Sequence, residues 1–150
     1  MSPIERAFSS DGVLAKVLDG YSPRQSQIEM AMAVGTAIEQ QSSLVAEAGT
    51  GTGKTFAYLI PSLLSEKKVI ISTGTKNLQE QLFHKDIPLL RKAFASHLNI
   101  ALLKGRANYL CLYRMHVYQQ TRGQLDAQTL ADFVKVKEWA NTTQSGDIGE

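Results

Sequence analysis

Cysteine is almost absent from this sequence: Cys111 stands alone, which excludes an internal disulfide and fits a reducing compartment. Such a lone thiol is most often a small buried hydrophobe. Long apolar runs are absent as well. The first twenty residues reach no further than Val13-Leu14-Ala15, with Glu5, Arg6, Asp11 and Lys16 around them, so no signal peptide is expected. No stretch approaches membrane-spanning length, and the expected setting is cytoplasmic, with no membrane partner. Acidic residues are missing between Asp86 and Asp126, where Arg91, Lys92, Lys104, Arg106, Arg114 and Arg122 fall. That one-sided interval suits a polyanion such as nucleic acid, or is a solvated basic face.

With 43% hydrophobic and 20% charged residues, the 150-residue chain reads as globular rather than as a disordered tail. Val13, Leu14, Val17 and Leu18 form a short amphipathic stretch ended by Asp19-Gly20. Ser22, Pro23 and Gln25 form an S-x-x-Q capping box, predicting a helix from Pro23 to about Gln40. Its apolar stripe is Ile28, Ala31, Met32, Gly35 and Ile38, with Glu29, Glu39 and Gln40 facing away. Residues 43–47, 69–73 and 99–103 are short apolar runs that predict strands. Helices are predicted at 56–64, at 76–94 with a break at Pro88, and at about 125–140, the last with Leu130, Phe133, Val136 and Trp139 on one side. This alternation predicts an α/β fold with a parallel sheet and flanking helices. Three strands and two crossover helices leave edges and faces uncovered, so the sheet is expected to be partial and the chain to expose apolar surface when alone.

The strongest local signal is Glu47-Ala48-Gly49-Thr50-Gly51-Thr52-Gly53-Lys54-Thr55, a P-loop pattern with Ala48 in place of the leading glycine. Gly49, Gly51 and Gly53 let the backbone fold tightly, so that N–H groups from Ala48 through Thr55 line an anion site at a helix N-terminus. Lys54 is expected to reach the β- and γ-phosphates of ATP, and the Thr55 hydroxyl to ligate Mg²⁺. The competing reading is a glycine-rich turn with no ligand.

The run Glu-Ala-Gly-Thr-Gly-Thr-Gly-Lys-Thr resembles the first motif of superfamily-two helicases, in particular the DinG/XPD-like iron–sulfur branch. Three further segments agree in order. Tyr21-x-x-Arg24-x-x-Gln27 resembles that family's adenine-recognition motif, in which the Gln27 amide would donate to and accept from the base edge, with Arg24 and Tyr21 in support. The plainer reading is helix-start polarity. Residues Ser72 to Leu82 resemble the next helicase motif, implying contact of Thr73 and Thr75 with the backbone of single-stranded DNA; alone the segment would pass for a helix cap. Lys104-Gly105-Arg106-Ala107-Asn108-Tyr109-Leu110-Cys111 resembles the start of the iron–sulfur insertion, with Cys111 the first of four [4Fe–4S] ligands. Tyr109, Tyr113, Arg114 and Tyr118 would suit stacking on bases, or are half-buried tyrosines of a helical subdomain.

The resemblance implies a RecA-like motor domain over residues 1–105 and the beginning of a helical iron–sulfur insertion over 106–150. It implies an ATP-dependent 5′→3′ DNA helicase of replication or repair, with single-stranded DNA, ATP, Mg²⁺ and unidentified repair proteins as partners. The sequence departs from it in two ways. No second cysteine exists to complete a cluster, and no Asp-Glu-x-His carboxylate pair occurs to serve hydrolysis. The chain is therefore expected to be a piece of a longer parent, binding nucleotide weakly and hydrolysing negligibly by itself. Two rivals remain: a small P-loop phosphotransferase, and a non-enzymatic DNA- or protein-binding module using the basic interval.

Overall fold

The computed structural model describes residues 1–94, 99–120 and 126–149. Arg122 of the basic interval and Leu125, the expected first residue of the last helix, lie outside the described residues. The chain divides into two compact units, Met1–Leu102 and Leu103–Glu150.

The first unit opens with α1 (Pro3–Ala7), which the sequence reading passed over. Ser2 and Glu5 form a reciprocal capping box: Ser2 Oγ accepts from Glu5 N at 3.1 Å, and the Glu5 carboxylate accepts from Ser2 N at 2.6 Å. The S-P-x-E spacing was a readable signal for it. α2 (Val13–Val17) coincides with the amphipathic stretch, and α3 (Gln25–Gln40) with the first long helix. The Ser22 box does not form. Arg24 is the N-cap, in extended conformation and without a side-chain cap bond, while Gln25 Nε2 donates instead to Glu29 Oε1 at 3.0 Å. The Arg24 side chain reaches Gly51 O, and with the Arg24 backbone extended the helix starts at Gln25, two residues later than expected.

α4 (Lys54–Leu64) runs alongside α3, and α1 packs on both. The core joins Phe8, Leu14, Ala31, Ala57, Leu59 and Ile60 to Leu82 and Leu90. Complete burial of Leu59 and Ile60 is worth about 1.5–3 kcal/mol each. The expected break at Pro88 takes a specific form. α5 (Lys76–Gln81) passes through a π-turn, Leu82–Asp86, into α6 (Ile87–Phe94), and Ile87 N bonds Leu82 O. The widened turn immediately before Pro88 relieves the clash of its ring with the preceding turn.

The expected parallel sheet is not formed among the described residues, which contain helices and one isolated antiparallel bridge, Tyr109 to Asp147. Residues 43–47, 69–73 and 99–103 belong to no helix and no ladder. Val45 is 98% exposed and Ile70 93% exposed. The reason is physical: a strand has no hydrogen bonds of its own, and strands consecutive in sequence need not be neighbours in a parallel sheet. A β-branched run becomes a strand only when another lies beside it.

The second unit holds a 3₁₀ turn (Arg106–Asn108), α7 (Leu112–Gln120) and α8 (Ala127–Ala140). Leu110 N donates to Gly146 O at 2.8 Å and Ile148 N to Asn108 O at 2.9 Å, and Lys104 Nζ pairs with Asp147 Oδ2 at 2.5 Å in a nearly buried ion pair. Of the expected α8 stripe only Phe133 is buried, with its ring centroid 5.0 Å from that of Tyr118. Leu130 and Val136 are exposed and Trp139 is half-buried, because this small unit has too little apolar surface to cover a full stripe.

Gly12 has no room for a side chain, since a Cβ there would sit 2.2 Å from Arg6 O. At Gly35 the corresponding clash, 2.4 Å, is with the mobile tip of Ile4. Gly12→Ala is expected to destabilise the fold by about 2 kcal/mol and Gly35→Ala by less than about 1 kcal/mol, read from denaturant midpoints. Asp126 caps α8, and hydrogen bonds from the Thr129 hydroxyl and backbone hold its carboxyl below the usual range. Its contribution is complete above about pH 4 and disappears as pH falls through the lower folded value. Carbon chemical shifts of residues 127–131 should therefore show α8 fraying in acid, whereas Asp126→Ala frays it at neutral pH and removes the pH step.

Candidate nucleotide-binding site

The glycine-rich loop joins residues 43–47 to α4. Gly51 and Gly53 lie in the left-handed region, at φ 77° and 82°, where an L side chain is strained. Gly53 is the N-cap of α4 and offers no side-chain acceptor, so the first-turn N–H groups of that helix are left for an anion. The loop's side chains turn onto its own carbonyls. Lys54 Nζ donates to Ala48 O at 2.5 Å and to Gly49 O at 2.9 Å, and Thr52 Oγ1 donates to Gly49 O at 2.9 Å. Phosphate oxygens would compete with those carbonyls for the Lys54 ammonium and offer full charge in exchange. Thr50 sits at the exposed turn of the loop. Thr55 is half-buried in the first turn of α4 and hydrogen-bonds the Tyr58 phenol, whose pKa burial raises, with the Asp86 charge adding to the rise.

The start of α3 meets this loop. Arg24 Nη1 donates to Gly51 O, and Gln27 Nε2 donates to Gly53 O at 2.8 Å. Gln27 is buried and its Oε1 has no hydrogen-bond partner. An orphaned buried acceptor beside the loop fits an exocyclic amine such as that of adenine. Tyr21 is placed elsewhere. Its hydroxyl donates to Phe8 O at 3.0 Å and burial pushes its phenol pKa up, so it fastens the α1–α2 junction. Sequence reasoning also missed Asp86, a buried carboxylate that accepts from Gln81 Nε2 at 3.0 Å. An aspartate directly before the apolar run Ile87-Pro88-Leu89-Leu90 was the available signal.

The remaining candidates lie apart from the loop in sequence. Thr75 caps α5, accepting from Leu78 N at 3.3 Å, and Thr73 Oγ1 donates to Thr75 O at 3.1 Å, so both hydroxyls serve a local turn. In the second unit Cys111 is exposed just ahead of α7. The described residues hold no group of three or more His, Cys, Asp or Glu able to bind a metal, so one thiol here does not make a cluster site. Tyr109 accepts from Lys104 N at 2.8 Å and Tyr118 packs on Phe133, which leaves Tyr113, 76% exposed, and Arg114 standing open on α7.

Residues 26–141 match the DEAD/DEAH box helicase family. The chain belongs to that family. The ATP-dependent DNA helicase YoaA of Haemophilus influenzae is 54% identical over 98% of this chain, and the YoaA of Escherichia coli K12 is 52% identical over 94% of it. A DinG of Bacillus subtilis, named a 3′-5′ exonuclease, is 35% identical over 94% of the chain. The helicase-family chain spans 23%, 22% and 16% of the lengths of those three proteins. No solved structure matches it at a significant level.

If Lys54 leaves the loop carbonyls for phosphate, Lys54→Ala removes charge-assisted bonds from the bound state. The expected loss of Mg²⁺-ATP affinity is roughly 10- to 100-fold, measured by calorimetric titration at fixed salt. An unchanged affinity would show that nucleotide does not use this loop.

Proposed function

We infer that this chain supplies the nucleotide-binding face of an ATP-dependent DNA helicase motor, with residues 1–105 as part of a RecA-like domain containing a parallel sheet. What supports the reading most is one juxtaposition: the left-handed glycine loop at the uncapped end of α4, with Lys54 folded over it and Gln27 fixed beneath it. The ATP triphosphate would lie along the N–H groups of residues 48–55, with Lys54 on the β- and γ-phosphates and Thr55 on Mg²⁺. Arg24 and Gln27 would hold the loop and the adenine side of the site. Bound Mg²⁺ would neutralise phosphate charge, while this chain's residues orient the triphosphate.

Single-stranded DNA is the second proposed partner. The stretch without acidic residues after Asp86, and the exposed Tyr113 and Arg114 on α7, combine phosphate attraction with a stacking surface. In the longer polypeptide, residues 106–150 would begin an iron–sulfur insertion in which Cys111 is the first [4Fe–4S] ligand. No helix among the described residues is long and apolar enough to cross a membrane, and a cytoplasmic role in DNA replication or repair, with protein partners unidentified, completes the proposal.

The test uses the 150-residue chain and a polypeptide of the relatives' full length that contains it. The chain alone should bind Mg²⁺-ATP and show no Lys54-dependent steady-state hydrolysis, since it contains no Asp-Glu-x-His pair. The longer protein should unwind a duplex bearing a 5′ single-stranded tail and lose this with Lys54→Ala. Lys54-dependent turnover by the chain alone, or DNA binding unaffected by nucleotide and by Lys54→Ala in the longer protein, would replace the motor with a phosphotransferase or a plain binding module.

A further inference from the structure

We propose that Gln27 is a positioning residue of the phosphate loop, contributing to affinity for the triphosphate independently of any contact its Oε1 makes with a base. The proposal rests on the loop being a nucleotide site and concerns what Gln27 does there. The side chain is 5% exposed and lies on the same face of α3 as the buried Ala31 and Gly35, the face that packs on α4. Its Nε2 donates to Gly53 O at 2.8 Å, and because a carbonyl can only accept, that contact fixes which end of the amide faces the loop.

The bonded carbonyl is an unusual one. Gly53 O also accepts from Ala57 N at 3.3 Å, so it begins the hydrogen-bond ladder of α4. Fixing its direction fixes the first turn, and with it the N–H groups and the Cα–Cβ direction of Lys54 and Thr55. Steric contact acts in the same sense. A Cβ at Gly53 would fall 2.0 Å from Gln27 Nε2 and 2.9 Å from its Cδ, so the amide occupies the volume that a side chain there would need. Gly53 is thus held in its left-handed conformation from two sides, by a hydrogen bond and by packing. One Nε2 hydrogen is committed to this task, and the unpartnered Oε1 is the atom left to meet a base.

Gln27→Met keeps the length and volume of the side chain and removes only its polar ends. Binding of the Mg²⁺ complexes of ATP, GTP and inorganic tripolyphosphate would be compared in the parent protein and this variant. The expected result is weakening of GTP and tripolyphosphate by a common factor, roughly 3- to 10-fold, the range of one hydrogen bond, and of ATP by at least that factor. Ligand-free amide exchange should quicken at residues 51–56 by a similar factor and remain unchanged along the middle of α3. Weakening of ATP alone, with tripolyphosphate unaffected, would overturn the proposal and make Gln27 a base reader. Faster exchange throughout α3 and α4 would overturn it too, by reducing the residue to general packing. Should the parent protein bind none of the three, the nucleotide reading fails by itself, and the exchange pattern still decides the Gln27–Gly53 contact.

Discussion

The glycine loop depends on the carbonyl of Gly53, which accepts from Ala57 N within α4 and from Gln27 Nε2 across from α3. A left-handed residue at a helix N-cap is a constraint that nearly excludes side chains, and it directs the first-turn N–H groups outward. Lys54 and Thr55 follow immediately, so their directions are set by the same residue. Arg24, one turn before Gln27, fastens the loop's outer part through Gly51 O. Two helices therefore define the loop jointly: α4 by beginning there, and α3 by holding its last glycine.

That arrangement needs α3 and α4 to keep their spacing, and the apolar core accomplishes this. Ala31 and Gly35 on α3 are small enough for close approach to α4, where Ala57, Leu59, Ile60 and Pro61 are buried. α1, with its capping box, closes over both, and Tyr21 ties the α1–α2 junction to the chain just before α3. The same unit carries Val45 and Ile70 almost fully exposed, on segments with strand-like sequence and no ladder. Among the described residues the loop is bordered by helices and by no sheet.

The second unit works by different means. Its ends are joined by the Lys104–Asp147 ion pair and the backbone bonds around Asn108, Leu110, Gly146 and Ile148 rather than by a large apolar core. Removing either partner of so buried a pair leaves a charge without compensation, which makes the pair a strong determinant of local geometry whatever its net contribution to stability. Tyr109 and Tyr118 are used inside this framework, and Tyr113 and Arg114 are not.

Local chemistry was legible in the sequence. The Gly49/Gly51/Gly53 spacing followed by Lys54-Thr55 predicted a tight glycine loop at a helix start, and the ordered motifs from Tyr21 to Cys111 specified the helicase family. The periodicity of residues 25–40 and the proline at position 88 fixed a helix and the place of its irregularity, because both effects act within one turn. Tertiary structure decided the rest. Ser22 and Gln25 had the right spacing for a cap, but Arg24 is pulled to Gly51 and the helix begins after it. Gln27 and Tyr21 share one motif, yet one reaches the loop and the other reaches Phe8, since Gln27 lies on α3 and Tyr21 in the connection before it. The apolar runs at 43–47, 69–73 and 99–103 have strand-like composition, and none of them forms a strand. A helix satisfies its own hydrogen bonds, whereas a strand's are supplied from elsewhere, so only the tertiary arrangement determines whether such a run becomes sheet.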